Sequence, residues 1–358
     1  MKVFHLFPYE KFTKNYIQKI NKLFIEKEHL FYVYGKKQSK FPKLEYKNVI
    51  LSSHYKSKKE FYLFILRQFM HADKIILHSL FLDNDLLKLI TIMQFIYKEK
   101  FCWWIWGGDL YDKYRYAQKL NKYSKYYIEE EFFRKILIKN LKYISSTNKE
   151  DYDLVKEWYH TNAKFYYAFY PIELPILLNQ VENHHDIVII LGNSATEENQ
   201  HIEAINKLKF LANENIKIIC PLSYPNNKKY IKFIQNYGRN IFHDKFITIT
   251  NFMPYEKYME LLSSVDIAIF NNNRQQANGN IAGLLYLGKK VFINEQNPFL
   301  NYWKNKGAEI FKFNNFYENN FTKLLTEEVR ERNRYLVEET LSDEKFKKTW
   351  EKVFNTKS

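Results

Sequence analysis

Short apolar runs of strand length alternate with longer stretches of helical period, and the alternation occurs twice along the chain. This pattern limits the fold more than any other feature. Strands that are apolar on both faces, separated by helices, form parallel sheets covered on both sides. In the first half, strands are expected near Val3–Phe7, Leu30–Tyr34, Val49–Ser52, Ile75–His78, Phe101–Trp106, Tyr143–Ser146 and Phe165–Phe169. In the second half they are expected near Ile187–Leu191, Ile216–Pro221, Ile247–Thr250, Ile267–Phe270, Val291–Ile293 and Glu309–Phe313. The expected organisation is two Rossmann-like domains, residues 1–178 and 186–325, joined across the Pro171–Asp186 stretch with its prolines and paired His184-His185. A charged, helix-prone segment, 326–358, follows and is expected to pack back on the domains.

A chain of 358 residues accommodates two such domains, and its 46% hydrophobic content is enough for two cores. The net charge of +15 attracts nucleic acid, anionic lipid or nucleotide phosphates without choosing among them. Cys102 and Cys220 each sit inside an apolar run and read as small buried hydrophobes, which fits a reducing cytoplasm. The first residues, Met1 to Pro8, read as a strand and not a signal peptide. The most apolar helix pattern, Leu86 to Tyr97, carries Lys88 and falls short of the roughly 20 residues needed to span a bilayer.

The loop after the Ile267–Phe270 run carries the clearest chemical signal. It reads Asn271-Asn272-Asn273-Arg274-Gln275-Gln276-Ala277-Asn278-Gly279-Asn280 and leads into a helix at Ile281. A strand, a polar glycine-containing loop and a helix start together present free N–H groups and a positive helix end to a phosphate. Arg274 adds a planar fork that matches phosphate oxygens. Gly192-Asn193-Ser194 follows another apolar strand and reads either as a second phosphate loop or as an ordinary βα turn. Tyr224, within Ser223-Tyr224-Pro225-Asn226-Asn227, could stack on a base, or the segment is a turn. Asn294 and Asn297, in Asn294-Glu295-Gln296-Asn297-Pro298, mark a further strand end. All four loops follow strand C-termini, where open α/β sheets bind ligands.

In the first half, the aromatic run Phe101 to Trp106 ends in Gly107-Gly108-Asp109. Asp109 reads either as a base for an attacking hydroxyl or as the N-cap of a helix beginning at Leu110. His78, ending a neighbouring strand, is expected to face the same side. Asp83-Asn84-Asp85 resembles a metal-binding triplet, but the apolar helix behind it favours capping. No His/Cys cluster has zinc-ligand spacing, so no metal is expected. Lys113 to Lys142, rich in Lys, Arg and Tyr, suits an anionic membrane surface, a solvated helical face or nucleic acid.

Taken in order, these segments resemble the bacterial Fuc4NAc transferases of glycosyltransferase family 56. The resemblance rests on His78, Trp103 with Ile105-Trp106-Gly107, and Asp109-Leu110-Tyr111. It continues through Gly192-Asn193-Ser194 with Asn199 and His201-Ile202, then Tyr224-Pro225, Asn226-Asn227 and Tyr230-Ile231. It ends with Arg274-Gln275-Gln276, Gly279, Asn294 and Asn297-Pro298-Phe299. Trp104 and Gly108 depart from the pattern, standing where a histidine and an alanine are expected. The resemblance implies a GT-B fold, two Rossmann-like domains facing across a cleft, with no obligatory metal. It implies transfer of 4-acetamido-4,6-dideoxygalactose from dTDP, as substrate and not cofactor, to a polyprenyl-diphosphate-linked oligosaccharide in cell-surface polysaccharide synthesis. Donor binding would fall to Gly192, Asn193, Ser194, Tyr224, Arg274, Gln275, Gln276, Gly279, Asn280, Asn294 and Asn297, and catalysis to Asp109 and His78. The expected partners are the nucleotide-sugar, the lipid-linked glycan and the cytoplasmic face of the inner membrane, and not nucleic acid. A GT-B transferase or epimerase using another nucleotide-sugar is the alternative, and a basic nucleic-acid- or membrane-binding protein is a more distant one.

Overall fold

The computed structural model describes residues 1–35, 42–111, 125–177, 186–315 and 320–356. The chain divides into two compact units, Met1–Pro171 with Ser342–Ser358, and Ile172–Leu341. Of the joining stretch, residues 178–185, which include His184-His185, lie outside the described residues, as do residues 112–124 of the basic tyrosine-rich segment.

The first unit is built on a parallel sheet in the order β3-β2-β1-β4-β5-β6-β7. Its strands are β1 (Lys2–Pro8), β2 (Glu28–Tyr34), β3 (Val49–Leu51), β4 (Lys74–His78), β5 (Phe101–Trp104), β6 (Tyr143–Ser146) and β7 (Lys164–Tyr167). The second unit carries the order β10-β9-β8-β11-β12-β13. Its strands are β8 (Ile187–Leu191), β9 (Ile216–Pro221), β10 (Phe246–Ile249), β11 (Ile267–Phe270), β12 (Lys290–Ile293) and β13 (Phe311–Lys312). In both sheets all pairings are parallel and the strand order reverses once. The reversal falls between β1 and β4 in the first and between β8 and β11 in the second. Loops leaving the two strands of such a switch point diverge, and the crevice between them takes ligands.

The strands form where they do because they are buried on both faces. Every residue of β4, β5, β6, β11 and β12 is buried, so these runs, the two serines of β6 apart, read as near-continuous rather than alternating hydrophobicity. Several helix starts are fixed by side-chain caps. Asp83 accepts from Leu86 N at 2.9 Å to open the helix Asn84–Ile96, so this triplet is a cap. Asn148 opens Lys149–Tyr159 and Asn297 opens Pro298–Lys304 in the same way.

The segment 326–358 is shared between the units and is not a body of its own. The helix Glu327–Thr340 packs on the helix Asn278–Tyr286 of the second unit. The helix Asp343–Phe354 packs on β7 of the first, where the Trp350 indole donates to the Phe169 carbonyl at 2.9 Å. Lys19 and Lys22 both pair with Asp343 at the start of this helix.

Candidate active site

In the second unit the loops after β8, β11 and β12 form one polar cluster. Gly192 leaves β8 with φ of +70°, its N–H bonded to Ile269 O at 2.8 Å. A Cβ at this position would stand 2.8 Å from both Asn199 Oδ1 and His201 Nε2, so only glycine fits. Asn199 is fully buried and ties the loop together. Its Oδ1 accepts from Asn193 N at 3.0 Å, and its Nδ2 donates to Ser194 Oγ and Thr196 Oγ1, each at 2.9 Å. The Asn193 side-chain oxygen and His201 Nε2 are both buried with no hydrogen-bond partner.

Gln276 joins the first loop to the second. Its Nε2 donates to Ser194 Oγ at 2.9 Å and its Oε1 accepts from Asn272 at 3.1 Å. Asn294, after β12, donates to Asn271 Oδ1 at 2.7 Å. Asn271 in turn donates to Glu203 at 3.1 Å, and its carbonyl accepts from Gln200 at 2.8 Å. The polar density around residue 270 therefore serves two ends. Asn271, Gln276 and Asn294 lock three strand exits together, while Asn272 Oδ1 and Asn273 Oδ1 are buried without partners.

Arg274 is mostly buried and lies against Glu198, Nε to Oε1 at 3.4 Å. The planar fork read from the sequence is held in an ion pair in the structure. Behind it the helix Asn278–Tyr286 begins at Ala277, which has φ of +65° and no side-chain cap. Its first amides receive no capping side chain, and Gly279 is exposed with open space beyond it. Asn280 donates to the Tyr258 hydroxyl at 2.8 Å. Gln275 is half-buried and its carbonyl accepts from Arg274 at 3.3 Å. Asn297 is a helix cap, spent on Phe299 N at 3.1 Å, and Tyr224 is exposed at the exit of β9.

In the first unit, Asp109 is completely buried. Its Oδ2 accepts from Leu80 N and from the Trp103 indole, both at 2.9 Å, and its Oδ1 accepts from Trp106 N at 2.9 Å. Burial raises its pKa, and the same bonds oppose the rise. The buried Arg134 guanidinium donates to Asp109 O at 3.0 Å and Leu80 O at 2.7 Å. Both alternative readings of Asp109 therefore need correction. The carboxylate is not open to a substrate hydroxyl, and it is not an N-cap, since the helical turn starts at Gly108. It reaches back to hold the exits of β4 and β5 together. His78 is also fully enclosed, with one ring nitrogen on His5 at 2.9 Å and the other on the Tyr170 hydroxyl.

A model of the family described as 4-alpha-L-fucosyltransferase, glycosyl transferase group 56, matches residues 11–356, nearly the whole chain. The chain belongs to this glycosyltransferase family. A glycosyltransferase from Rickettsia africae superposes with a TM-score of 0.67 at 11% identity, covering 99% of this chain and 97% of that one. Anabaena Alr3699/HepE, solved with UDP and glucose, gives 0.68 at 11% over the full length of both chains. WaaG, a glycosyltransferase of lipopolysaccharide biosynthesis, gives 0.59 at 13%, with 99% of each chain covered. At these identities the likeness shows the fold, which is GT-B. Among the described residues no group of His, Cys, Asp and Glu is arranged to hold a metal ion.

Buried histidines are expected to make the transferase acid-labile. Burial holds His201 down at about 4, and burial with Lys27 and the amino terminus holds His29 at about 3. Burial also pushes His5 and His78 well below the imidazole range. Unfolded, each titrates near 6.5. Below that value the unfolded chain binds more protons than the native one. The stabilisation is therefore present above about pH 6.5 and is lost as pH falls toward the folded values, with His201 alone contributing roughly 3 kcal/mol. Melting temperature should fall steeply between about pH 6.5 and 4. A flat profile there would contradict the burial of these rings.

Proposed function

We propose that this glycosyltransferase moves a deoxy-acetamido sugar of the Fuc4NAc type from a dTDP donor to a polyprenyl-diphosphate-linked oligosaccharide, working at the cytoplasmic face of the inner membrane. The observation that carries the reading is the convergence of the Gly192–Ser194 loop, the Asn271–Gln276 loop and an uncapped helix start at the β8/β11 switch point. The donor diphosphate binds there. The amides of Asn278, Gly279 and Asn280 meet its oxygens, as helix N-termini do for phosphates. Arg274 supplies the cation. Glu198 holds its guanidinium in place before the donor arrives, and the diphosphate then shares or replaces that carboxylate. Charge builds on the diphosphate as the anomeric C–O bond breaks, so these groups stabilise the transition state more than the ground state.

The lipid-linked acceptor is supported by exposed apolar residues on two packed helices of the first unit. Ile92, Phe95 and Ile96 share one face of Asn84–Ile96, and Phe132 projects from Lys125–Asn140. Exposed Lys135 and Lys139 lie on the second helix, which suits an anionic lipid surface. Among the described residues no helix is long and apolar enough to cross a membrane.

A thermal-shift panel of dTDP-, UDP- and GDP-sugars tests the donor. The dTDP sugar should give the largest shift, and a preference for another base would move the protein to the alternative transferase or epimerase. Arg274→Ala should weaken dTDP binding about ten- to a hundredfold by calorimetry, corresponding to loss of one charge-assisted contact. Unchanged affinity would remove Arg274 from the site.

A further inference from the structure

The helix Lys228–Phe242 of the second unit carries Lys228, Lys229, Lys232 and Arg239 and not one acid. Other outer helices of the chain mix the two signs. On Glu327–Thr340 and Asp343–Phe354 the pairs Glu327–Arg330, Glu331–Arg334 and Lys347–Glu351 close over the surface. The four cations of Lys228–Phe242 are exposed, and none has an ion-pair partner among the described residues. Lys228 and Lys229 stand in the first turn, where the helix dipole opposes positive charge. Lys149–Tyr159, Glu327–Thr340 and Asp343–Phe354 place acids there instead. An anion outside the chain would offset what the chain itself leaves uncompensated.

The same face also holds open apolar side chains. Lys229, Lys232, Phe233 and Arg239 share the outer side of the helix, and Ile234, Gly238 and Phe242 are buried. Phe233 is 49% exposed in the middle of this side. The helix His201–Leu208 runs alongside in the same direction. His201 Nδ1 meets the Tyr230 hydroxyl at 2.9 Å, and the Tyr237 hydroxyl donates to Asn206 Oδ1 at 2.8 Å. This second contact sets the ridge Ile202–Asn206, continued by Phe210 in the turn Lys209–Leu211, beside the ridge Phe233–Tyr237. Ile202 is 37% exposed and Phe210 47%, and Lys209 is an exposed fifth cation. Glu203, the one acid on His201–Leu208, accepts a bond from Asn271 at 3.1 Å.

We propose that this face of the second unit adsorbs to an anionic lipid surface, with its cations over the headgroup phosphates and Phe233, Phe210 and Ile202 entering the interface. Basic residues are held near a negatively charged leaflet, and apolar side chains set among them sink to the headgroup level. Single-stranded nucleic acid is held in a basic groove with stacking platforms. Here the cations and apolar groups share the outer side of two packed helices, which suits a flat field of phosphates. The inference rests on the membrane reading above, extends it to the second unit, and uses that unit's residues alone.

Vesicles of equal parts phosphatidylglycerol and phosphatidylcholine are the probe, with the full-length protein followed by co-sedimentation. Lys229→Gln/Lys232→Gln/Arg239→Gln removes three positive charges from the face. At about fivefold in affinity for each basic residue held at an anionic surface, vesicle binding should weaken on the order of a hundredfold. Lys257→Gln/Lys304→Gln/Lys312→Gln removes the same charge from exposed positions on other elements of the unit. It should cost far less, because screening confines the attraction to charges close to the lipid. All six side chains are exposed, so both variants should melt as the wild type does. Equal losses for the two variants would show a diffuse charge effect and overturn the proposal. A larger loss of polyuridylate binding than of vesicle binding would assign the face to nucleic acid, and a matching loss of dTDP affinity would assign it to the donor; either result ends the proposal. If the wild type ignores these vesicles, the membrane reading falls as well. If the wild type binds and only Lys135→Gln/Lys139→Gln weakens it, the first-unit face stands and this one falls.

Discussion

Asp109→Asn is expected to destabilise the protein before it affects chemistry. The carboxylate accepts three N–H bonds and is completely enclosed. An asparagine must point its NH2 either at the Leu80 and Trp103 donors or at the Trp106 donor. Either choice sets donor against donor in a fully enclosed site, which costs about 2–4 kcal/mol. At that cost the melting temperature should drop on the order of 5–10 °C. Asp109→Ala, which orphans all three donors, should cost more. Binding of dTDP-sugar by the folded fraction should be unchanged, because the donor loops belong to the other unit. A base role makes the opposite forecast of a wild-type melting curve with turnover lost. Thermal melts of the two variants decide between them.

Asp109 also shows where sequence reading runs out. The run Phe101 to Asp109 identifies a strand that ends at two glycines and a carboxylate, and the structure has that strand end. What the carboxylate touches depends on Leu80 and Arg134, each more than twenty positions away, and no local pattern carries that. The same holds for Arg274. Its loop is legible as a strand exit rich in donors, but its partner Glu198 lies in a loop after a different strand. Strands were easier. β4, β5, β11 and β12 are buried on both faces, so burial and apolar sequence coincide. The hydrogen-bonded row of His5, His29 and His78 follows the same rule. Only His78 stands out in the sequence, as a strand end, and it takes the parallel register of β1, β2 and β4 to bring the three rings within hydrogen-bond reach.

The largest separation of binding from stability should come from Gly279→Val. Gly192 and Gly279 stand at neighbouring strand exits, yet they are glycines for different reasons. At Gly192 the protein itself forbids a side chain, through Asn199, His201 and a positive φ. At Gly279 a Cβ would meet nothing within 4 Å, and no left-handed backbone is required. Nothing in the folded chain therefore demands the absence of a side chain there. Valine in the first turn of a helix differs from glycine by only a few tenths of a kcal/mol, so the melting temperature should stay within about 2 °C. A diphosphate seated on the amides of this helix start would need the space that the valine methyls fill. Its dissociation constant should rise at least tenfold, about 1.4 kcal/mol. Calorimetry with thymidine diphosphate alone suffices, since the sugar is not needed for the clash. If affinity survives in a normally folded Gly279→Val protein, the diphosphate does not rest on this helix and the donor pocket drawn around it is wrong. Lost affinity with an intact melt would leave the uncapped helix start as the place where the leaving group's charge is held.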